Sequence, residues 1–138
     1  MSQQAYIIAG SRTAIGKAKR GGFRFMTPVD MAYYAIQDLL KKVPQLDPSR
    51  VDDLIVGNAV PEAEQGLQMA RWVAVRSLPV EVPGMTVNRY CGSGVEVIGL
   101  ATAKIKAGMA DVIIAGGTES MSLVPTVGYK TVPNYEIA

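Results

Sequence analysis

Apolar positions fall along this chain as short unbroken runs and as helical stripes, and the two kinds alternate. Ala5-Tyr6-Ile7-Ile8-Ala9 is an apolar run ended by Gly10, which predicts a short strand buried on both faces of a parallel sheet. Thr27-Pro28 then offers a helix N-cap and a first-turn proline, with Asp30 in the first turn. Val29, Ala32, Tyr33, Ile36, Leu39, Leu40 and Val43 follow at helical spacing until Pro44 stops the pattern. Asp53-Leu54-Ile55-Val56-Gly57 reads as a second strand. Leu67, Ala70, Ala74 and Leu78 mark a second helix that ends near Pro79. Met85 to Arg89 is a third strand, Gly92 to Ala107 a third helix, and Asp111 to Ala115 a fourth strand, apolar on both faces.

Strands alternating with helices predict an α/β fold with a mostly parallel sheet covered on both sides. The third helix differs from the others. Its polar residues, Glu96, Thr102, Lys104 and Lys106, gather into no single broad face, and Gly99, Ala101 and Ala103 are small. That composition predicts a helix buried between layers. With one sheet to pack on, its far side would face water and expose a contiguous apolar patch. After Met121 the pattern dissolves into Pro125, Gly128, Pro133 and Asn134, with no helix or strand signal. One α/β domain is therefore expected over 1–121, with a loop region over 122–138.

Cys91 stands where the third strand should turn into the third helix, within Asn88-Arg89-Tyr90-Cys91-Gly92-Ser93-Gly94. Unpaired N–H groups and the macrodipole at a helix start favour a thiolate there. The Gly-Ser-Gly after it keeps bulk away from the sulfur, so a carbonyl could approach it. Position alone leaves two readings open: an activated nucleophile, or a small apolar residue filling a tight turn.

The cysteine segment resembles the nucleophile segment of the thiolases, the acyl-CoA acyltransferases. Gly108-Met109-Ala110-Asp111 and Ala115-Gly116-Gly117-Thr118-Glu119-Ser120-Met121-Ser122 resemble the stretch downstream of the nucleophile in that family. Ala9-Gly10-Ser11-Arg12-Thr13-Ala14-Ile15-Gly16-Lys17 is similar to the family's opening strand and loop, with Ala14 where proline is more usual. Glu62-Ala63-Glu64-Gln65-Gly66, followed by Ala70-Arg71, resembles the degradative 3-ketoacyl-CoA thiolase form of the segment after that loop. Four such motifs run in register from about Ala5 to the last residue.

The resemblance implies a thiolase fold, here its N-terminal half, with a nucleophile helix in a middle layer. It implies Cys91 as the acyl acceptor, with its own backbone N–H as one oxyanion donor. The reaction is then acyl transfer between a 3-ketoacyl-CoA and coenzyme A, or the reverse Claisen condensation. Fatty-acid β-oxidation is the expected setting; a biosynthetic acetoacetyl-CoA thiolase and a non-catalytic binding module of the same fold are the alternatives. A ketoacyl synthase fits Asn88-Arg89 and Cys91-Gly92-Ser93-Gly94 less well. In thiolases the base is a histidine and the second acid–base group a further cysteine, both in the C-terminal half. This chain has no histidine and one cysteine. It is expected to be the N-terminal part of a thiolase, inactive by itself. Coenzyme A enters as substrate, with no tightly bound cofactor. The family also implies a homodimer or homotetramer, and Trp72 and Met69 on a helix with a thin polar face support that expectation.

Composition and the remaining motifs change this picture little. A length of 138 residues suffices for one core. A net charge of +2 gives no reason to expect nucleic acid or an anionic membrane as partner. Arg12, Lys17, Lys19, Arg20 and Arg24 cluster in one loop, read as a solvated loop with an anionic ligand as the alternative. A single cysteine excludes an internal disulfide framework and suits a reducing compartment, so a cytoplasmic location is expected. No run approaches the ~20 apolar residues of a membrane span, and the immediate first strand leaves no space for a signal or transit peptide. Ser93 reads as a helix-start residue. Gly116-Gly117 lacks the spacing of a phosphate loop. Glu119 reads as a residue orienting loops by hydrogen bonds rather than as a base. Strand alternation points Arg89 to the face opposite Tyr90. The methionines read as core filling, and Asp53, Asp111 and Glu119 lie too far apart in sequence to suggest a metal site.

Overall fold

The computed structural model describes residues 3–133, 135 and 136. Three α-helices and three strands follow in the order α1 (Pro28–Lys42), β1 (Asp53–Gly57), α2 (Met69–Ser77), β2 (Gly84–Val87), α3 (Ser93–Lys106) and β3 (Ile113–Gly117), with single 3-10 turns at Pro48–Arg50 and Ala63–Gln65. The strands form one parallel sheet in the order β2-β1-β3.

Local chemistry sets the helix ends. Thr27 Oγ1 accepts the Asp30 N–H at 3.1 Å and caps α1, Pro28 occupies its first turn, and Lys41 and Lys42 lie in its last. Each strand sends alternate residues to opposite faces. Leu54, Val56 and Ile114 pack with Ile36 of α1 and with Met69, Ala70, Val73 and Ala74 of α2. Ile55 packs on the other side against Val97 and Ala101 of α3, with Met85, Val87, Ile113 and Ala115 around them. The sheet is thus a middle layer between α1–α2 and α3, as the alternation of elements predicts.

One expectation changes. The run Ala5–Ala9 forms no strand: it is extended, unpaired in any sheet, and Tyr6, Ile7 and Ile8 are 73%, 86% and 80% exposed. A strand needs a neighbouring ladder, and none of the described strands runs beside these residues. Neighbouring residues are held by other means, with Ser11 Oγ bonded to Asp38 and Lys42 Nζ donating to Gly10 O at 3.0 Å. A cavity of ≈ 600 Å³ separates the 9–18 segment from α1 and the sheet. β3 is covered on both faces, by Ile114 toward α1–α2 and by Ile113 and Ala115 toward α3, as its apolar run predicts. It lies at the sheet edge, where Gly116 and Gly117 are exposed; the central strand β1 is buried throughout. α3 is buried along one face only, the outcome expected with one sheet to pack on rather than burial between two layers: Ser93, Val97 and Ala101 meet the sheet, while Val95 and Ile98 are exposed. Among the described residues after Gly117 there is no helix or strand, and Asn134, Ile137 and Ala138 of the expected loop region lie outside the described residues.

Asp52 ties the start of β3 to that of β1, accepting N–H from Asp111 at 2.7 Å and from Val112 at 2.9 Å. The Val112 bond first, then the Asp111 bond, hold its carboxyl below the ordinary carboxylate value. A depressed pKa in the folded state stabilises the fold at pH above the unfolded value, about 3.9, and that contribution fades as pH falls through the folded one. Asp52→Ala should therefore lower the melting temperature at pH 7. The gap to the unmodified protein should close progressively below about pH 4. A gap constant from neutral to strongly acid pH would show that the carboxylate is not its source.

Candidate active site

At the carboxyl ends of β1 and β2 the chain makes two turns that face each other. Val87 ends β2, and Asn88 to Gly92 reverse into α3, whose first helical residue is Ser93. Within that turn Asn88 Oδ1 accepts the Tyr90 N–H at 2.8 Å, an Asx turn. Ser93 Oγ accepts the Arg89 N–H at 2.8 Å and donates to Tyr90 O at 2.6 Å. Tyr90 is thereby held at φ 47°, a left-handed conformation that costs a bulky residue about 1–3 kcal/mol. Cys91 follows it directly and is exposed. The turn puts strain next to the sulfur and leaves the sulfur accessible.

Gly57 makes this arrangement possible. A Cβ there would sit 2.9 Å from Ser93 Cβ and 3.0 Å from Ser93 C, so only a residue without a side chain lets the end of β1 lie directly against the start of α3. Asn58 and Ala59 then curve over the cysteine turn, with Asn88 Nδ2 donating to Ala59 O at 3.1 Å. A cleft of ≈ 500 Å³ is lined by Asn58, Ala59, Tyr90, Cys91, Thr118 and Glu119, and Arg12 and Met121 also line it. The larger cavity beneath the 9–18 segment does not include Cys91. Chemistry at the sulfur therefore belongs to the smaller cleft.

Each candidate from the sequence has a defined place. Glu119 Oε2 accepts Ala59 N at 2.7 Å and Asn58 Nδ2 at 3.1 Å, and its Oε1 accepts Gln65 Nε2 at 2.6 Å. Four lone-pair directions serve three donors, which is a loop-orienting role and not that of a free base. Ser93 is the helix-start residue expected of it. The Arg89 guanidinium pairs with Glu96 of α3 at 2.9 Å. Gly116-Gly117 ends the edge strand. Among the described residues no group of three or more His, Cys, Asp or Glu could hold a metal ion.

Sequence reading missed two buried residues at this site. Gln65, fully buried, also accepts the Ser120 N–H at 2.6 Å and donates to Val60 O at 2.8 Å. Asn58, 1% exposed, donates to Thr118 O at 3.1 Å, while its Oδ1 is buried without a partner among the described residues. An amide just past a buried apolar strand was the available signal for Asn58. Gln65 sits in a polar segment, where nothing distinguishes a buried amide from a solvated one.

A parallel sheet between two helix layers, with an exposed thiol on the turn from its edge strand into a helix, defines an α/β domain. The chain belongs to the thiolase family: residues 5–137 match the family described as the thiolase N-terminal domain. It is 47% identical over 137 residues to a 3-ketoacyl-CoA thiolase of Bacillus subtilis (strain 168), covering 99% of this chain and 35% of that protein. It is 40% identical over 126 residues to a 3-oxoadipyl-CoA/3-oxo-5,6-dehydrosuberyl-CoA thiolase of Escherichia coli (strain K12), covering 91% of this chain and 31% of that protein. The crystal structure of the Bacillus anthracis acetyl-CoA acetyltransferase matches with a TM-score of 0.81 at 28% identity, over 96% of this chain and 35% of that one. The chain thus spans about a third of the length of these relatives. No helix among the described residues is long and apolar enough to cross a membrane.

Proposed function

We propose that this chain is the N-terminal part of a thiolase that transfers an acyl group between a 3-ketoacyl-CoA and coenzyme A through a thioester on Cys91. The observation that carries the reading is the exposed Cys91 sulfur on a turn locked at both ends. The sulfur adds to the 3-keto carbonyl, and the carbon–carbon bond between C2 and C3 breaks. Acetyl-CoA leaves after its enolate takes a proton, and the acyl group stays on sulfur. The thiol of a second coenzyme A then attacks the thioester and releases Cys91 as thiolate. Protons at both steps need a base and an acid–base group. The histidine and second cysteine that thiolases use are absent from this chain, so it supplies the nucleophile and the remainder of the protein supplies its partners.

Glu62-Ala63-Glu64-Gln65-Gly66 and the name of the B. subtilis relative favour a degradative role in β-oxidation. The E. coli relative is named for 3-oxoadipyl-CoA and 3-oxo-5,6-dehydrosuberyl-CoA, so a different acyl group is compatible with the same chemistry. Coenzyme A is substrate and not resident cofactor in this reading, the protein is a homodimer or homotetramer, and it works in the cytoplasm. The full-length protein, mixed with acetoacetyl-CoA, quenched in acid and digested, should carry an acetyl group on the peptide containing Cys91. Acyl label on another residue, with none on this peptide, would overturn the assignment.

A further inference from the structure

An unbroken run of hydrogen bonds joins the cysteine turn to the loop after β3. The Glu119 carboxylate accepts the Ala59 N–H at 2.7 Å. Across the same residue, Ala59 O accepts Asn88 Nδ2 at 3.1 Å. Asn88 Oδ1 then accepts the Tyr90 N–H at 2.8 Å, and Tyr90 is the left-handed residue that precedes Cys91. The first two links join three segments, the loop after β3, the stretch after β1 and the turn after β2, and the third lies within that turn.

We propose that Asn88, backed by Glu119, is the positioning residue for Cys91. An asparagine is suited to the place because it donates and accepts at once, through two atoms on one rigid plane. Its acceptor oxygen holds Tyr90 in a conformation a tyrosine seldom adopts. Its donor nitrogen fixes that oxygen in space by anchoring to Ala59, and Glu119 fixes Ala59. Without the anchor the Asx turn would be free to swing, and Tyr90 could relax toward ordinary dihedrals. The sulfur would move with it, because Cys91 is the next residue along the chain. Alanine at position 88 removes both bonds. Serine can accept from the N–H two residues on, though more weakly, and offers one polar atom where asparagine offers two.

The proposal rests on the acyl-transfer reading only for its effect on turnover; its effect on the thiol is read directly. In the full-length protein, alkylation of Cys91 by iodoacetamide at pH 7 is followed by mass spectrometry of its peptide, beside kcat and KM for acetoacetyl-CoA thiolysis. Asn88→Ala should slow alkylation and lower kcat by about tenfold or more, with KM within about twofold, because misplacement of a reacting group by about 1 Å can cost far more. Asn88→Ser should recover part of both rates. Glu119→Gln should slow them too. Combined with Asn88→Ala it should add nothing further, since both act through one relay and their effects couple.

Alkylation by Asn88→Ala within about twofold of the unmodified protein overturns the proposal, as do Asn88 and Glu119 losses that simply multiply. Circular-dichroism melts report folding. If Asn88→Ala does not fold, Asn88→Ser and its combination with Glu119→Gln decide by the same two criteria. Acyl label found away from Cys91 would sink the acyl-transfer reading and leave the alkylation result standing. Label on Cys91 with unchanged alkylation in the variants would do the reverse.

Discussion

Cys91→Ala in the full-length protein should lower kcat/KM for thiolysis of acetoacetyl-CoA by roughly 10⁴-fold or more, with the melting temperature close to that of the unmodified protein. The two halves of that expectation come from one fact, that the side chain is exposed. An exposed sulfur contributes little to packing, so its loss leaves no cavity of the kind that makes buried truncations costly. Binding of the acyl-CoA does not depend on the thioester, so the loss should fall on kcat rather than KM. Cys91→Ser is the sharper form of the same test. A hydroxyl fits the same turn but is far harder to deprotonate at neutral pH, and it should also lose most turnover. Rates for Cys91→Ala within tenfold of the unmodified protein would show that the acyl group is carried elsewhere.

The fold was legible wherever one segment carries its own signal. Thr27-Pro28 announces α1, and the structure places its first residue at Pro28. The apolar run Asp53–Gly57 announces the central strand, because a strand covered on both faces has no polar side to show. The same logic misled at one other run. Ala5–Ala9 carries the composition of a buried strand, yet Tyr6, Ile7 and Ile8 lie exposed. Apolar composition states what a segment can tolerate, but pairing depends on which neighbours are present. The helix after Cys91 was read from the small and apolar residues of α3, and its uneven cover comes from having a sheet on one side.

At the site, the cysteine was legible because it is the only one and sits between a strand signal and a helix signal. The family motif added the role expected of it. The groups that hold the cysteine in place were less legible. Asn88 pairs with Tyr90 two residues away, a local bond that asparagine's habits foretell, but also with Ala59, 29 residues away. Gln65 meets Glu119 across 54 residues. Such partners are set by the sheet order, which brings the ends of β1, β2 and β3 to one edge, and no local pattern encodes that order.

Gly57 and Gly84 both lack a Cβ because backbone lies where it would go, and alanine at each should separate stability from catalysis. At Gly84 a Cβ would stand 2.5 Å from Ala70 O, 2.6 Å from Ala70 C and 2.8 Å from Arg71 N, all backbone in the first turn of α2. That turn cannot yield by a rotamer change. It is also pinned to β2 by Ala70 N donating to Thr86 Oγ1 at 3.0 Å and by Thr86 N donating to Gln68 Oε1 at 2.7 Å. Gly84→Ala must therefore push α2 off the sheet and should destabilise the protein by about 3 kcal/mol, the upper part of the usual range for overpacking. Its folded molecules should turn over substrate at close to the normal kcat, because α2 and β2 meet away from the cleft lined by Cys91. At Gly57 the obstacle is Ser93, whose Oγ holds Arg89 N and Tyr90 O in the cysteine turn. Gly57→Ala should cost about 1–3 kcal/mol as well, but it should also lower kcat by about tenfold or more, since shifting Ser93 shifts the turn that presents the sulfur. Urea unfolding and steady-state kinetics on both variants separate the two effects. A Gly84→Ala protein within about 0.5 kcal/mol of normal stability, or a folded Gly57→Ala protein with normal kcat, would contradict the packing that ties β1 to the cysteine turn and β2 to α2.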